Sequence, residues 1–398
     1  MKATQRTTKQ HDRVRELYYI THIDNVPSIL RNGIFSHENI EAKGIKYTPI
    51  YDEEIVSRRK EIRAPNGKSL WSFANLYFNA RNPMLYRVIC EKPPNDVAVI
   101  GIAPKILNRL DIYVTTGNAV HSQSKILQGS QKVISEVLKD TSVDWWNEAD
   151  GTKRKIMAEC LIPDVVPPDY ITSIYVSSYE ARNRAERSLS GSHGLSIIYE
   201  PRMFFQHSVV KSLTNKLFLV RGDMFFSRMQ TITVSVNVVG IMGKGVASRA
   251  KYQFPDVYVY YQDLCRKRQL KMGTPLLYKR EASTDYQLAD EPSTLSCANS
   301  ETWFLLFPTK RHWRDQADLQ GIENGLKWLC ENYKKNGIKS LAIPSLGCGL
   351  GRLEWKDVGP LLCKYLSILE IPVLIYLPAE RDIPENLLTE EFLLSRGS

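Results

Sequence analysis

The sequence predicts two consecutive domains of different class, an α+β domain followed by an α/β/α three-layer sandwich. Residues 1–209 carry short β-branched or aromatic runs, Leu17 to Ile20, Val97 to Ile102 and Ile174 to Val176, with polar and proline-bearing connections and few long amphipathic helices. Residues 210–398 alternate apolar strands with helical patterns, as a layered α/β sheet requires. The boundary is set near residue 210, where EPRMFFQHSVVKSLTNK turns from aromatic to polar and Leu217 to Arg221 starts a fresh strand.

In the first half, Asp24-Asn25-Val26-Pro27 reads as a helix start, with polar capping residues and a proline in the first turn. In the second half the expected strands are Ile232 to Val239, Trp303 to Phe307, Leu341 to Ile343 and Val373 to Tyr376. The expected helices are Val246 to Tyr252, Gln316 to Asn332 and Val358 to Leu369. The chain has no internal repeat and no low-complexity tract.

A chain of 398 residues can bury two cores of ordinary size. Its 53 basic against 43 acidic residues, a net +10, suit a polyanionic partner and equally suit a plain soluble surface. The seven cysteines (Cys90, Cys160, Cys265, Cys297, Cys330, Cys348, Cys363) are scattered, with no CxxC pair, which argues against a disulfide framework and against zinc. They are expected to be reduced and mostly buried. No apolar run approaches ~18 residues and MKATQRTTKQHDR has no hydrophobic stretch, so the expectation is a cytoplasmic protein with no membrane partner and no metal.

Two glycine-rich stretches carry the most information. Ser345 to Trp355 reads SLGCGLGRLEW, and Asn237 to Ala250 reads NVVGIMGKGVASRA. Backbone without side chains can wrap a diphosphate and donate N–H groups where bulkier residues would clash. A glycine-rich turn is also an ordinary strand-to-helix connection. Here each stretch follows an apolar strand and leads into a helix, an arrangement that brings two loops to one sheet edge, where helix N-termini favour anions.

GDMFFSRMQTITVSVNVVGIMGKGVASRAK, then FPTKRHWRDQADLQGIENGLKWL, then IPSLGCGLGRLEW resemble a macrodomain of the DNA ADP-ribosylglycohydrolase type, the DarG antitoxin, over roughly Leu217 to Tyr376. The resemblance implies an ADP-ribose site. It puts Asp223 near the adenine, with Asn237, Gly240, Met242, Gly243, Lys244 and Gly245 along the distal ribose and diphosphate. Ser345, Gly347, Cys348, Gly349, Leu350 and Gly351 close over the diphosphate from the other side. The family's catalytic lysine falls on Lys310. An amine can attack an anomeric carbon if burial or nearby cations lower its pKa, and Arg311 and Arg314 are the candidate cations. Related hydrolases of protein carboxylates carry an aspartate where this chain has Gly351, so the proton donor is open between His312 and Glu354.

The first half carries YYITHIDNVPSILRNGI, SRRKEIR, LYFNARNPMLY, VTTGNAVHSQS and AECLIPDVVPPDYI. This ordered set resembles DarT, a toxin that transfers ADP-ribose from NAD to bases of single-stranded DNA. Read from the residues, His22 is equally a helix cap, and Glu159 is an acid at an apolar strand edge that asks for a partner. The resemblance makes Glu159 the catalytic glutamate and puts the family's arginine at Arg59 or, one residue earlier, Arg58, with Arg59 favoured. It places His22, Asn25, Tyr77, Arg81 and Met84 against NAD and His121 near the acceptor. A carboxylate beside the sugar suits this chemistry, since it favours the positive charge of the breaking glycosidic bond and can accept the base's proton. The basic cluster Arg58, Arg59, Lys60, Arg63 and Lys68 adjoins Trp71, Phe73, Tyr77 and Phe78, the mixture of charge and rings that single strands need, although such rings are as often core.

Joined, the halves are expected to form an α+β ADP-ribosyltransferase-like domain followed by an α/β/α three-layer macrodomain, a fused toxin and antitoxin. The expected partners are single-stranded DNA, NAD as co-substrate and ADP-ribose. The macrodomain is expected both to reverse the modification and to cover the transferase's DNA face. The alternatives are a protein or RNA ADP-ribosyltransferase fused to its hydrolase, and a transferase with a macrodomain that only binds ADP-ribose. Thymidine and guanosine are both open as acceptor.

Overall fold

The computed structural model describes residues 14–51, 56–189, 194–290, 295, 301–378 and 381–394. Cys297 lies outside them. The chain divides into two units, Met1–Phe204 together with Asp285–Cys297, and Phe205–Thr284 together with Ala298–Ser398. The sequence places one boundary, after residue 209. The structure divides the chain at Phe204 and also gives the first unit a segment from deep within the second half.

Among the described residues the first unit has ten strands: β1 (Leu17–His22), β2 (Ile34–Phe35), β3 (Phe73–Tyr77), β4 (Val97–Ile102), β5 (Tyr113–Thr115), β6 (Ile126–Gln128), β7 (Glu159–Pro163), β8 (Val165–Val166), β9 (Ile171–Val176) and β10 (Ser196–Tyr199). Eight of them form one sheet in the order β10-β9-β4-β1-β3-β7-β5-β6, while β2 pairs with β8. The unbroken apolar run of β4 is buried throughout, as a central strand covered on both faces should be. β1 and β3 pair at Tyr18 and Tyr77, and β3 pairs along its length with β7, setting Tyr77 opposite Glu159. That register places the first residue of β7 at the place where the β1–β3 ladder ends.

The segment from Asp285 packs with this unit through buried groups. The Tyr86 hydroxyl donates to Asp285 Oδ1 at 2.6 Å, and the indole N–H of Trp146 donates to the Leu288 carbonyl at 2.9 Å. Trp146, Leu288 and Ala289 are all buried. A buried indole needs an acceptor, and a backbone carbonyl brought from far along the chain supplies it.

The second unit has β11 (Ser208–Ser212), β12 (Leu217–Arg221), β13 (Thr231–Asn237), β14 (Leu276–Tyr278), β15 (Trp303–Lys310), β16 (Leu341–Pro344) and β17 (Val373–Tyr376). They form a sheet in the order β11-β12-β17-β16-β13-β15-β14, with antiparallel edge strands and parallel inner pairs. Residues alternate between the faces with the period of two that a pleated strand imposes. Leu217, Leu219, Leu305, Phe307, Leu341, Ile343, Val373 and Ile375 enter one core cluster, with residues of the helices Leu319–Asn336 and Trp355–Leu366. Val220, Val234, Phe304, Leu306, Ala342 and Leu374 enter the opposite cluster, with residues of the helices Gly245–Gln253 and Pro255–Arg266. Three layers result.

Boundaries differ from the sequence expectation where caps decide them. β13 stops at Asn237 rather than Val239, because the Asn237 side chain turns the backbone into the glycine loop. The helix expected from Gln316 begins after Asp318, whose carboxylate accepts the Gly321 N–H, and it runs on to Asn336, where Gly337 ends it at φ 78°.

Candidate active sites

In the first unit the central feature is a buried ion pair. Glu159, 2% exposed at the start of β7, faces Arg59, 8% exposed in the short 3-10 turn Arg58–Lys60. Arg59 Nη2 lies 3.0 Å from Glu159 Oε2, and Nη1 donates to Oε1 at 3.3 Å. The Ala119 backbone N–H also donates to Oε1, at 3.2 Å, and Thr115 Oγ1 accepts the Glu159 N–H. Two side-chain contacts and one backbone donor thus fix the carboxylate's aim. Burial alone would depress the Arg59 guanidinium, but the facing carboxylate raises it above its ordinary value. Burial, followed by the Glu159 charge, pushes the Tyr77 phenol well above its ordinary range. Arg58 is exposed, so of the two candidate arginines only Arg59 meets the acid.

The remaining expected residues of this unit fall into different situations. His22 is 9% exposed and its Nδ1 accepts the Asp24 N–H at 3.2 Å, capping the turn that precedes the helix Val26–Asn32; this leaves the ring proton on Nε2. Asn25 uses both ends of its amide on one segment, donating to the Thr48 carbonyl at 2.8 Å and accepting the Thr48 N–H at 2.8 Å. It positions the loop around residue 48. Arg81 and Met84 are half-buried, Met84 in the helix Pro83–Glu91, while His121 is exposed in a turn where its Nδ1 accepts the Gln123 N–H.

The expected band of aromatics for DNA is corrected by the structure. Phe73 and Phe78 are buried in core clusters, so those rings, read as stacking surfaces, are core, while Tyr77 is buried opposite Glu159. Trp71 alone stays partly open, with Lys60 over its ring at 4.4 Å and His37 stacked on it at 4.3 Å. Nothing in the sequence singled out His37. Its Nε2 meets the Tyr51 hydroxyl at 3.1 Å, and burial, aided by the Arg59 charge, pushes it down to about 4.

In the second unit, every expected position lies at or just after the carboxyl end of a parallel strand, the edge where open α/β sheets bind ligands. Asp223 follows β12, Asn237 ends β13, Lys310 ends β15 and Ser345 follows β16. Asp223 accepts the Phe225 N–H at 3.1 Å and pairs with Arg249 at 2.6 Å. Asn237 donates to the Ile241 carbonyl at 2.6 Å and accepts the Val239 N–H and the Tyr261 hydroxyl, so its amide shapes the first glycine loop from within.

The glycines divide by what demands them. Gly240, Gly245 and Gly347 have φ of 83°, 62° and 78°, the left-handed region that glycine tolerates. At Gly351 a Cβ would collide with the Gly347 carbonyl, which explains why no aspartate stands there. Gly243 and Gly349 have neither constraint, since an added Cβ would meet no close neighbour. Met242 and Cys348 are each 2% exposed, so their side chains belong to the core and only their backbone faces the loops. Burial pushes the Cys348 thiol up to about 12. Lys244, Leu350 and Gly349 are exposed.

Lys310 Nζ donates to the Asp315 carbonyl at 3.0 Å and to the Leu350 carbonyl at 3.1 Å, tying the loop after β15 to the second glycine loop. Its pKa is lowered, first by burial and then by Arg352, with Asp315 opposing. The sequence assigned that push to Arg311 and Arg314; the structure gives the cationic part to Arg352, the residue after the last glycine. Of the two candidate proton donors, His312 lies two residues from Lys310, and Glu354 is exposed with Arg381 at 3.8 Å.

A buried carboxylate–guanidinium pair in an α+β unit, and glycine loops with a perturbed lysine in a three-layer unit, define a two-domain protein that handles a nucleotide. Residues 18–205 match the family described as ssDNA thymidine ADP-ribosyltransferase, DarT, and residues 298–362 match the macro domain. The chain is 54% identical over 384 residues, 96% of its length and 99% of the relative's, to the DNA ADP-ribosyl transferase-DNA ADP-ribosyl glycohydrolase fusion protein of Thermosipho africanus. It is 36% identical over 172 residues, 41% of this chain and 81% of the relative, to the DNA ADP-ribosyl transferase of Thermus sp. strain 2.9. The solved structure of Thermosipho africanus DarTG in complex with ADP-ribose matches with a TM-score of 0.91 at 54% identity, covering 96% of this chain and 100% of that one. The chain belongs to the family of DNA ADP-ribosyl transferase–DNA ADP-ribosyl glycohydrolase fusion proteins. Among the described residues no three His, Cys, Asp or Glu side chains gather as a metal site needs, and no helix is long and apolar enough to cross a membrane.

Proposed function

We propose that the first unit transfers ADP-ribose from NAD to a base of single-stranded DNA and that the second unit removes it again. The observation that carries the first half is the buried Arg59–Glu159 pair with its Ala119 donor. Cleavage of the nicotinamide–ribose bond develops positive charge on the sugar, and a carboxylate held in a fixed direction in a dry site stabilises that charge. Glu159 also accepts the proton lost by the attacking base nitrogen, and Arg59 orients the acid and contacts phosphate or the acceptor base. His22, Tyr77, Arg81 and Met84 line the NAD cleft, Asn25 positions the loop beside it, and His121 lies toward the acceptor.

The second half rests on Lys310. In this reading the neutral Nζ attacks the anomeric carbon, a C–N bond to lysine forms, and the bond to the DNA base breaks as the base nitrogen takes a proton. Water then releases ADP-ribose and restores the amine. Glycines at 243 and 349, which neither backbone conformation nor packing requires, support close approach of a diphosphate to the loops. Transfer needs NAD and DNA in one compartment and removal needs the same DNA, and on that ground the reading puts the chain in the cytoplasm. Incubating the Lys310→Ala chain with labelled NAD and either single-stranded DNA, RNA or protein tests the acceptor. Label on DNA alone is expected, and label on protein or RNA with DNA unlabelled refutes the reading.

A further inference from the structure

The loop that leaves β15 carries a feature the deglycosylation mechanism leaves unused. Trp313, three residues after Lys310, is 44% exposed. The Arg314 guanidinium lies over its ring at 4.6 Å, and the His312 ring sits 5.3 Å away, tilted by 33°. Arg311 and Arg314 are both exposed.

The loop is built rather than loose. His312 N–H donates to Asp315 Oδ2 at 3.0 Å, Arg314 N–H to His312 Nδ1 at 3.3 Å, and Asp315 N–H to the His312 carbonyl at 3.1 Å. The Asp315 carbonyl in turn accepts Lys310 Nζ at 3.0 Å, and Ala317 N–H donates to the Gly351 carbonyl at 2.9 Å. Asp315 thus takes part both in the turn that carries the ring and in the bond that holds the lysine. A pre-ordered ring loses little entropy when a flat partner stacks on it.

We propose that Trp313, flanked by His312 and Arg314, is a stacking platform for a base of the DNA strand that carries the ADP-ribose being removed. This rests on the deglycosylation reading above and goes beyond it by naming how the strand is held. Rings interleaved with cations are the recognition chemistry of single-stranded nucleic acid, because every base offers a π face and every nucleotide a phosphate. The platform is not the adenine end of the same ligand. Asp223 follows β12, and four strand spacings separate β12 from β15 in the sheet order, roughly 19 Å at the usual spacing. The leaving base is bonded to the carbon that Lys310 attacks, so the ring beside Lys310 is beside the strand.

The test uses the full chain with Glu159→Gln, which silences transfer, and two substrates: an ADP-ribosylated oligonucleotide and the ADP-ribosylated nucleoside released from it by nuclease digestion. Trp313→Ala is expected to lower kcat/KM on the oligonucleotide about tenfold, the loss of one stacked base, and to leave the nucleoside within twofold. Trp313→Phe recovers most of the loss. Equal loss on both substrates, or no loss on either, overturns the platform while leaving the Lys310 chemistry standing. If the parent chain cleaves neither substrate, the deglycosylation reading falls, and binding decides the platform. Fluorescence anisotropy of the labelled ADP-ribosylated oligonucleotide on the Lys310→Ala chain then supports it if Trp313→Ala weakens binding about tenfold, and refutes it if affinity is unchanged.

Discussion

Arg59 and Glu159, a hundred positions apart in the chain, meet with both ends of a guanidinium facing both oxygens of a carboxylate that is 2% exposed. A pair so buried is costly to break from one side, because the survivor keeps its charge without its partner. Arg59→Ala is expected to destabilise the first unit by about 3–5 kcal/mol. The double variant Arg59→Ala/Glu159→Ala loses less than the sum of the single losses, read by chemical denaturation.

Glu159→Gln keeps the shape of the side chain and removes its charge. Transfer of ADP-ribose to DNA is expected to fall by about 10³-fold. The far-ultraviolet circular dichroism spectrum stays that of the parent, so the loss is chemical rather than structural. Transfer at the parental rate contradicts the role given to Glu159.

On the proposed mechanism Lys310 acts as a neutral amine, so deglycosylation is expected to rise with pH through the lysine's lowered pKa. Arg352 is a cause of that lowering, after burial. Removing the cation makes the ammonium easier to keep, so Arg352→Ala moves the rising limb of the pH–rate profile to higher pH. Lys310→Arg does not rescue Lys310→Ala, because a guanidinium cannot lose its proton in this range. Initial rates on ADP-ribosylated DNA across about pH 6 to 10 check both statements.

Gly349 and Gly351 stand two residues apart and predict opposite outcomes. Gly349→Ala places a methyl group in open space, so stability stays within about 0.5 kcal/mol while ADP-ribose binding weakens about tenfold. Gly351→Ala drives a methyl group into the Gly347 carbonyl and costs about 1–3 kcal/mol of the second unit's stability. Calorimetric titration with ADP-ribose and thermal unfolding separate the two effects. For the same steric reason Gly351→Asp does not install a working general acid.

Tyr86 and Asp285 predict a stability effect that sequence position hides. Tyr86→Phe removes a 2.6 Å hydrogen bond to a carboxylate that is 1% exposed, and the loss of that charge-assisted bond costs the first unit about 1–3 kcal/mol. Trp146→Ala, which empties a fully buried site, costs about 3–5 kcal/mol. Denaturant unfolding of the full chain followed by hydrogen exchange at the strands of the first unit reads both losses.

The layered second unit was legible because strand alternation and helix period are local signals. Leu217, Leu219 and Val220, or Ile343 and Ala342, declare their faces by parity alone. The glycine loops were legible for a similar reason, since a strand, a glycine run and a helix follow one another in the chain. What stayed hidden depends on groups far apart in sequence. Nothing in Asp285 to Ala289 announces that it packs with Tyr86 and Trp146. Phe73 and Phe78 look alike as core or as stacking surface until a second layer covers them. Asn25 and Asn237 read as ligand contacts, yet the Asn25 amide is bonded to Thr48, 23 residues on, and the Asn237 amide to the nearby Ile241 backbone, as short polar side chains often do. Arg352 had a usable signal, a cation directly after the glycine run that closes beside Lys310.

Nucleoside mass spectrometry of DNA exposed to NAD and the Lys310→Ala chain tests the two-way reaction most directly. The account predicts a single ADP-ribosylated nucleoside, thymidine or guanosine, that accumulates with this variant and disappears when the parent chain is added. It also predicts no such product from the Lys310→Ala/Glu159→Gln chain. Unmodified DNA from the Lys310→Ala chain, or a modified nucleoside that persists in the presence of the parent chain, would contradict it.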